Sequence, residues 1–163
     1  MTARLTFQRM LQARAMKNNT ENSGITFADL IREFPNDEAC LEFIKEERWP
    51  NSVTKCEKCN AERKHSRVTG RTAYACDRCG NHIYPLKGTV FAGSSTSLKT
   101  WFYVMYLVAS SERGITAKRI QRDTGVTYKT AWRMLSRLRE FFPNQQKDSS
   151  QSMRENDVLV SRG

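Results

Sequence analysis

The chain has 163 residues, 39% of them hydrophobic, and carries a formal net charge of +10 at pH 7. This length suits one ordinary domain or a few small modules, and the modest hydrophobic fraction argues against a single large core. No apolar run approaches the length of about 18 residues that a membrane-spanning helix needs, so we expect no membrane partner. The charge favours a protein that binds a polyanion over a soluble basic protein that binds none. Nucleic acid is the first candidate for that polyanion, and an anionic membrane surface is the second.

The N-terminal residues and the cysteines indicate the compartment. Residues 1–24 lack the continuous apolar core of a secretory signal and hold four basic residues before the first acid, Glu21. Mitochondrial presequences share that composition, but we predict a flexible basic arm that favours DNA, with a short helix around residues 7–16. Without an export signal we expect a reducing compartment, where five cysteines serve as metal ligands more often than as disulfides.

Residues 25–49 predict two short helices. Thr26 is the expected N-cap of the first, with Asp29 in the capping-box position, and Pro35 ends it. Asn36 is the expected N-cap of the second, whose apolar face includes Cys40, so we interpret Cys40 as a buried small hydrophobe. The first helix has an apolar stripe of four residues: Phe27, Leu30, Ile31 and Phe34. The second has an acidic outer face that we expect to turn away from DNA: Glu42, Glu46 and Glu47.

Residues 50–93 contain four cysteines in the pattern Cys-x2-Cys, sixteen residues, Cys-x2-Cys. Two cysteines separated by two residues both point inward from one tight turn, a knuckle, and two knuckles supply a tetrahedral four-thiolate zinc shell. Asn60 and Gly80 follow the knuckles, and these residue types accept a left-handed backbone most readily. The pattern predicts one structural zinc ion on four ligands: Cys56, Cys59, Cys76 and Cys79.

Short strands are predicted around the knuckles, over residues 65–68, 71–76 and 81–84, which is the layout of a zinc ribbon. A redox Cys-x-x-Cys pair would begin a helix in a thioredoxin-like α/β pattern, which this segment lacks. A catalytic zinc keeps an open position, whereas four cysteines complete the shell, so His82 is a weaker candidate ligand. We interpret His65 and His82 as strand residues or phosphate contacts.

Residues 94–142 predict three helices. Ser97 caps the first, whose broad apolar face is typical of core packing, and it ends near residues 112–114. Thr116 caps a short helix over residues 117–123 that Gly125 breaks, and Thr127 caps a longer helix that runs to about Phe142. A short helix, a turn with glycine and a longer helix are typical of a helix-turn-helix. Residues 143–163 predict a polar tail or linker.

The last helix would supply the contacts that select a DNA sequence, because its N-terminal part enters the major groove in this motif. Its expected contact residues are Thr127, Tyr128, Lys129, Thr130, Arg133 and Arg137. Three residues of the preceding helix would hold the flanking phosphates: Lys118, Arg119 and Arg122. The alternative interpretation is a solvated basic face without a ligand.

Several of these features occur together in a known family. The chain combines Arg48-Trp49-Pro50, the two knuckles, Lys87-Gly88-Thr89-Val90-Phe91 and Tyr128-Lys129-Thr130-Ala131-Trp132-Arg133. This combination resembles the N-terminal region of ISXO-like insertion-sequence transposases, which are similar to Merlin elements. The resemblance implies cut-and-paste DNA movement by a three-carboxylate, two-metal site in an RNase H-like domain.

That catalytic domain would follow Phe142, and we expect it to be absent from this chain. The acids beyond Phe142, Asp148, Glu155 and Asp157, lie in polar segments without a strand and helix scaffold, so the resemblance carries over no catalytic residue. In bacteria, such a chain would act in the cytoplasm at the nucleoid.

The predicted fold is small and mixed α+β, mainly α: a helical N-terminal segment, a four-cysteine zinc ribbon with short antiparallel strands, and a three-helix helix-turn-helix. The expected function is sequence-specific, non-catalytic binding of double-stranded DNA at an element's terminal inverted repeats. Zn²⁺ is the expected cofactor, a second copy or a full-length transposase is a further partner, and no small-molecule substrate is expected. The alternatives are a stand-alone transcription regulator derived from a transposase, an independent enzyme and a protein adaptor.

Overall fold

The structure is a computed structural model that describes residues 26–111 and 114–141. The predicted basic arm with its short helix, the polar tail and Phe142 lie outside the described residues. The chain forms two compact units, the first ending at Tyr103 and the second beginning at Val104. None of the described helices is both long and apolar enough to cross a membrane.

The described residues form five α-helices and a sheet of four short strands. The first unit contains two helices, a 3-10 turn at Pro50–Ser52 and the four strands. In chain order these are α1 (Phe27–Glu33), α2 (Asp37–Arg48), β1 (Val53–Cys56), β2 (Ala61–Arg67), β3 (Tyr74–Cys76) and β4 (His82–Ile83). The remaining helices are α3 (Leu98–Ala109), in which the boundary between the units falls, α4 (Ala117–Thr124) and α5 (Tyr128–Phe141). The mixed α+β class is confirmed.

The first two helices begin at the predicted caps. Thr26 Oγ1 accepts a hydrogen bond from the Asp29 amide at 3.2 Å, and the Asp29 carboxylate accepts one from the Thr26 amide at 3.2 Å. Asn36 Oδ1 accepts from the Ala39 amide at 2.9 Å. Cys40 is fully buried, as predicted, and burial raises the pKa of its thiol to about 12.

The predicted apolar stripe of α1 is wrong in part. Leu30 and Phe34 are buried, but Phe27 is 48% exposed and Ile31 is 38% exposed. A helix of seven residues packs along one narrow line, so its flanking apolar side chains keep contact with water.

Aromatic rings form the core of the first unit. Phe34 lies edge to face with Phe43 and with Phe102, at centroid distances of 5.1 and 4.7 Å. Phe91 stacks on Phe102 at 5.9 Å and meets Trp101 edge to face at 5.7 Å. This arrangement confirms that Trp101 and Phe102 are core residues.

The strands form one antiparallel sheet in the order β1-β2-β3-β4, with Val53 opposite Lys64 and His65 opposite Cys76. Strand β1 was not predicted, and β2 begins four residues before the predicted strand. Strand β3 is shorter than predicted, because the chain turns at Gly70 with a φ of +73° and pairs again only from Tyr74. His65 lies in β2 and is 2% exposed, so of its two interpretations the strand residue is confirmed and the phosphate contact is not.

The helices of the second unit follow the predicted pattern. Thr116 Oγ1 accepts from the Arg119 amide at 3.3 Å, and Gly125 ends α4 with a φ of +73°. Thr127 Oγ1 accepts from the Thr130 amide at 3.3 Å at the start of α5. Helices α4 and α5 lie against each other. The two helices carry five buried apolar side chains: Ile120, Ala131, Met134, Leu135 and Leu138.

Candidate metal centre and nucleic-acid interface

The two knuckles have the local geometry that the sequence predicts. Strand β1 ends at Cys56, and the Cys59 amide donates to Cys56 Sγ at 3.4 Å. In the second knuckle the Gly80 amide donates to the Cys76 carbonyl at 3.0 Å. Asn60 and Gly80 have φ angles of +50° and +69°, the left-handed region that only a few residue types enter readily.

The four sulfur atoms converge on one point between the knuckles. Cys56 and Cys79 are 3.5 Å apart, Cys59 and Cys76 are 3.9 Å apart, and all four sulfurs lie within 4.8 Å of one another. A tetrahedral zinc shell with Zn–S bonds near 2.3 Å has sulfur–sulfur edges of roughly 3.8 Å, so the cluster fits a zinc ion. A disulfide needs about 2.05 Å, and all four cysteines are free.

Local electrostatics also suit a cation. The Cys59 amide lowers the pKa of the Cys56 thiol to about 7. Interaction with Cys79 raises the pKa of Cys59 to about 12. Four thiolates this close repel one another, and a divalent cation at their centre removes that repulsion. His82 is not part of this group of potential ligands, and its ring faces Tyr84 at 6.4 Å.

A buried lysine attaches α2 to the ribbon. The Lys45 ammonium is buried, contacts the Glu42 carboxylate, donates to Ser52 Oγ at 2.8 Å and lies 3.1 Å from Glu46 Oε2. The Tyr74 hydroxyl of β3 donates to Glu42 at 2.7 Å. Burial raises the pKa of Glu42, but the hydrogen bonds from Lys45 and Tyr74 outweigh it and leave that pKa below its usual value. Glu42 and Glu46, two of the three acids on the predicted outer face, therefore both pair with the buried Lys45.

Arg48 connects two of the motifs that carry the family resemblance. Its Nη1 donates to the carbonyl oxygens of Pro85 and Lys87, at 2.6 Å each, and burial lowers the pKa of its guanidinium. The guanidinium also lies 4.9 Å from the ring of Trp49. Arg48-Trp49-Pro50 and the segment that begins at Lys87 are thus neighbours in the first unit, which the sequence pattern did not indicate.

The predicted DNA-contact residues of α5 lie largely on its exposed side. Tyr128, Lys129 and Arg133 are exposed, and the last two lie one turn apart on the side opposite the buried apolar residues. Thr127 and Thr130 bond each other through their hydroxyls at 3.0 Å, so both serve the cap. Arg137 is half-buried and already engaged in an interaction.

The three basic residues predicted on the preceding helix are all exposed. Arg119 and Arg122 of α4 both pair with Asp123, at 3.4 and 3.2 Å, and remain exposed. Lys118 is exposed and has no ion-pair partner among the described residues. The predicted set does not include the exposed Trp132 of α5, because it was built from the residues of the first turn and from the row of basic residues.

Comparison with known proteins gives two similarities. Residues 35–82, which begin between α1 and α2 and end in β4, match the family model of the transposase zinc-ribbon domain. An uncharacterized protein in transposable element ISH50 of Halobacterium salinarum is 27% identical over 110 residues. The matched region is 66% of this chain and 36% of that protein, so the chain spans little more than a third of the relative. No solved structure matches. The cysteine cluster and the elements around it are thus similar to a transposase zinc-ribbon domain, and the chain is related to a protein of an insertion element.

Proposed function

We propose that this chain is the sequence-specific DNA-binding part of an insertion-sequence transposase and that it binds the terminal inverted repeats of its element. The observation that carries this proposal is the exposed side of α5. Its first turns present Tyr128, Lys129 and Arg133 to solvent, while the opposite side is buried. In this proposal α5 is the recognition helix of a helix-turn-helix, whose N-terminal residues contact base edges in the major groove, and its N-cap and exposed first turns support that role.

The chemistry of these side chains supports readout of double-stranded DNA. Arg133 can donate two hydrogen bonds to the major-groove edge of guanine, and Lys129 suits a guanine or a phosphate. Lys118, Arg119 and Arg122 of α4 are exposed and would hold phosphates beside the groove. The net charge of +10 strengthens association with any duplex and gives no specificity, and the proposal assigns specificity to α5.

The proposal includes one structural zinc ion on Cys56, Cys59, Cys76 and Cys79. The sulfur distances and the similarity to a transposase zinc-ribbon domain support this ligand set. Strands of two to seven residues bury too little surface to be stable alone, and zinc binding would contribute about 10–16 kcal/mol, as in zinc-finger peptides. In this proposal the zinc maintains the ribbon, and strand cleavage and joining are assigned to none of the described residues.

An in vitro selection tests the proposal. The zinc-loaded chain is used to enrich duplexes from a random-sequence library, and the Arg133→Ala variant is carried through the same rounds. We expect the wild-type chain to enrich one motif that matches the terminal inverted repeats of the encoding element, and the variant to lose that preference. Enrichment of no motif would overturn sequence-specific binding. A motif that occurs at a promoter and not at the repeats would instead identify a transcription regulator.

A further inference from the structure

Trp132 is an exposed aromatic residue, one turn after the exposed Tyr128, on a helix whose aliphatic side chains are buried wherever they are described. Its exposed fraction is 57%, whereas Met134, Leu135 and Leu138 are at most 5% exposed. Exposing an indole to water is unfavourable, and Trp132 and the exposed Tyr128 lie one turn apart on the helix. Exposed apolar side chains that lie together, unlike single ones, mark interaction sites. Most of the Trp132 side chain therefore lies outside the buried core and is available to a ligand.

The neighbours of Trp132 indicate which ligand suits it. Helical geometry places Tyr128 one turn before it on the same flank, while Lys129 and Arg133 form the adjacent row. Both cations are exposed and have no ion-pair partner among the described residues. The indole N–H likewise has no acceptor in the described part of the chain. An apolar ring beside two unpaired cations suits an anionic partner that also offers an apolar group.

We propose that Trp132 contacts an A·T pair in the major groove, with its ring against the C5 methyl group of thymine. This inference rests on the proposed function, in which α5 enters that groove. Thymine is the base that presents an apolar group at this edge, and its O4 is an acceptor within reach of a donor such as the indole N–H. Lys129 and Arg133 would bind phosphate or guanine on the adjacent row. Trp132 thus adds discrimination for thymine, which the charged residues do not provide.

Deoxyuridine provides the test, because it removes the methyl group of thymine and keeps every hydrogen-bonding group. The duplex is the one that the wild-type chain selects from a random library. It is synthesised either with thymidine throughout or with deoxyuridine in place of thymidine at one position at a time. We expect deoxyuridine at one position to weaken wild-type binding about fourfold, the effect of one buried methyl group. Trp132→Ala should weaken binding to the thymine duplex on the order of tenfold and should no longer distinguish the two duplexes.

Two further variants separate the possible explanations. Trp132→Phe keeps an aromatic ring without the indole N–H and should retain the preference for thymine. Tyr84→Ala removes an aromatic side chain of similar exposure, 51%, from the ribbon. It should leave the affinities for the thymine duplex and the deoxyuridine duplex unchanged. Circular dichroism of each variant checks the fold, which an exposed residue should not disturb.

Three outcomes would overturn the inference. If Trp132→Ala binds both duplexes as the wild type does while Arg133→Ala loses sequence preference, only the role of Trp132 is wrong. If Trp132→Ala keeps its DNA affinity but abolishes self-association in sedimentation, the residue belongs to a protein interface. If the wild-type chain selects no duplex at all, the proposed function fails together with this inference.

Discussion

The hydroxyl group of Tyr74 connects β3 to α2 through one hydrogen bond. It is buried with its ring and donates to Glu42 at 2.7 Å, next to the buried Lys45 ammonium. Removing this hydroxyl leaves Glu42 partly exposed and still in contact with Lys45, so the carboxylate regains water at little cost. We expect Tyr74→Phe to lower the free energy of unfolding by about 1 kcal/mol. The denaturant midpoint of the zinc-loaded chain measures this loss.

The matched control for that measurement is Tyr84→Phe. Tyr84 is half exposed and its hydroxyl has no partner among the described residues, so the free energy of unfolding of Tyr84→Phe should stay within about 0.5 kcal/mol of the wild-type value. Equal midpoints for Tyr74→Phe and Tyr84→Phe would show that the bond to Glu42 contributes nothing.

Arg48 makes a comparable connection from the C-terminal end of α2. Its guanidinium donates to the carbonyl groups of Pro85 and Lys87. Without it the carbonyl group of the buried Pro85 would be left in a poorly hydrated place, whereas that of the exposed Lys87 would meet water. We expect Arg48→Ala to cost about 1.5–3 kcal/mol of unfolding free energy, measured by the same denaturation. Arg32→Ala, which removes an exposed arginine paired only with Asp29, should cost less than about 1 kcal/mol. A smaller loss for Arg48→Ala than for Arg32→Ala would contradict this role.

These contacts could not be predicted from the sequence. The partners of Arg48 lie 37 and 39 residues away, and no local pattern indicates which carbonyl groups will be near. Nothing in the sequence distinguishes Lys45 from an ordinary exposed lysine on an acidic helix, although it is buried. Trp132 was left out of the predicted contact set because no local pattern marks an exposed tryptophan on a helix as a contact.

At the scale of single elements, local rules predicted the helix starts. The caps Thr26, Asn36, Thr116 and Thr127 each bond an amide three residues ahead, so their partners lie within the same short window of sequence. The Cys-x2-Cys knuckles were predictable for the same reason. Strand β1 was missed because its four residues become a strand only by pairing with β2, and its pattern has no apolar alternation.

Metal removal tests the ribbon as an element. Cys59→Ser should abolish stable binding of one zinc ion per chain and expose the amides of β2 and β3 to hydrogen exchange, because the strands are short. A chelator should produce the same exchange in the wild-type chain. Cys40→Ala is the matched control, since Cys40 lies on the inner face of α2 and should leave the zinc content unchanged. Full zinc content in Cys59→Ser would remove it from the ligand set.

At the scale of the whole molecule, α2 belongs with the ribbon. Contacts from Lys45, Arg48 and Glu42 reach the 3-10 turn, the segment after β4 and β3. The region similar to the transposase zinc-ribbon domain likewise begins before α2 and ends in β4. The predicted boundary between the helical segment and the zinc ribbon, at residues 49 and 50, stays a prediction. It came from a change in composition, and such changes do not report long-range contacts.

The net charge of +10 makes a prediction for the whole chain. If the chain binds duplex DNA through phosphate contacts, the logarithm of its affinity should fall with the logarithm of salt concentration, with a slope near −0.9 for each phosphate. Lys118→Ala should reduce that slope by about one unit if Lys118 holds a phosphate. Fluorescence anisotropy of a labelled duplex at several salt concentrations measures both, and an affinity independent of salt would exclude this mode of binding.

The most direct test of sequence-specific binding by α5 compares the wild-type chain with Arg133→Ala on two duplexes at one salt concentration. One duplex carries the motif that the wild-type chain selects, and the other has the same composition in scrambled order. We predict that Arg133→Ala loses about 1–3 kcal/mol of binding free energy on the selected duplex and much less on the scrambled one. An unchanged preference for the selected duplex would contradict the assignment of α5 as the helix that reads the sequence.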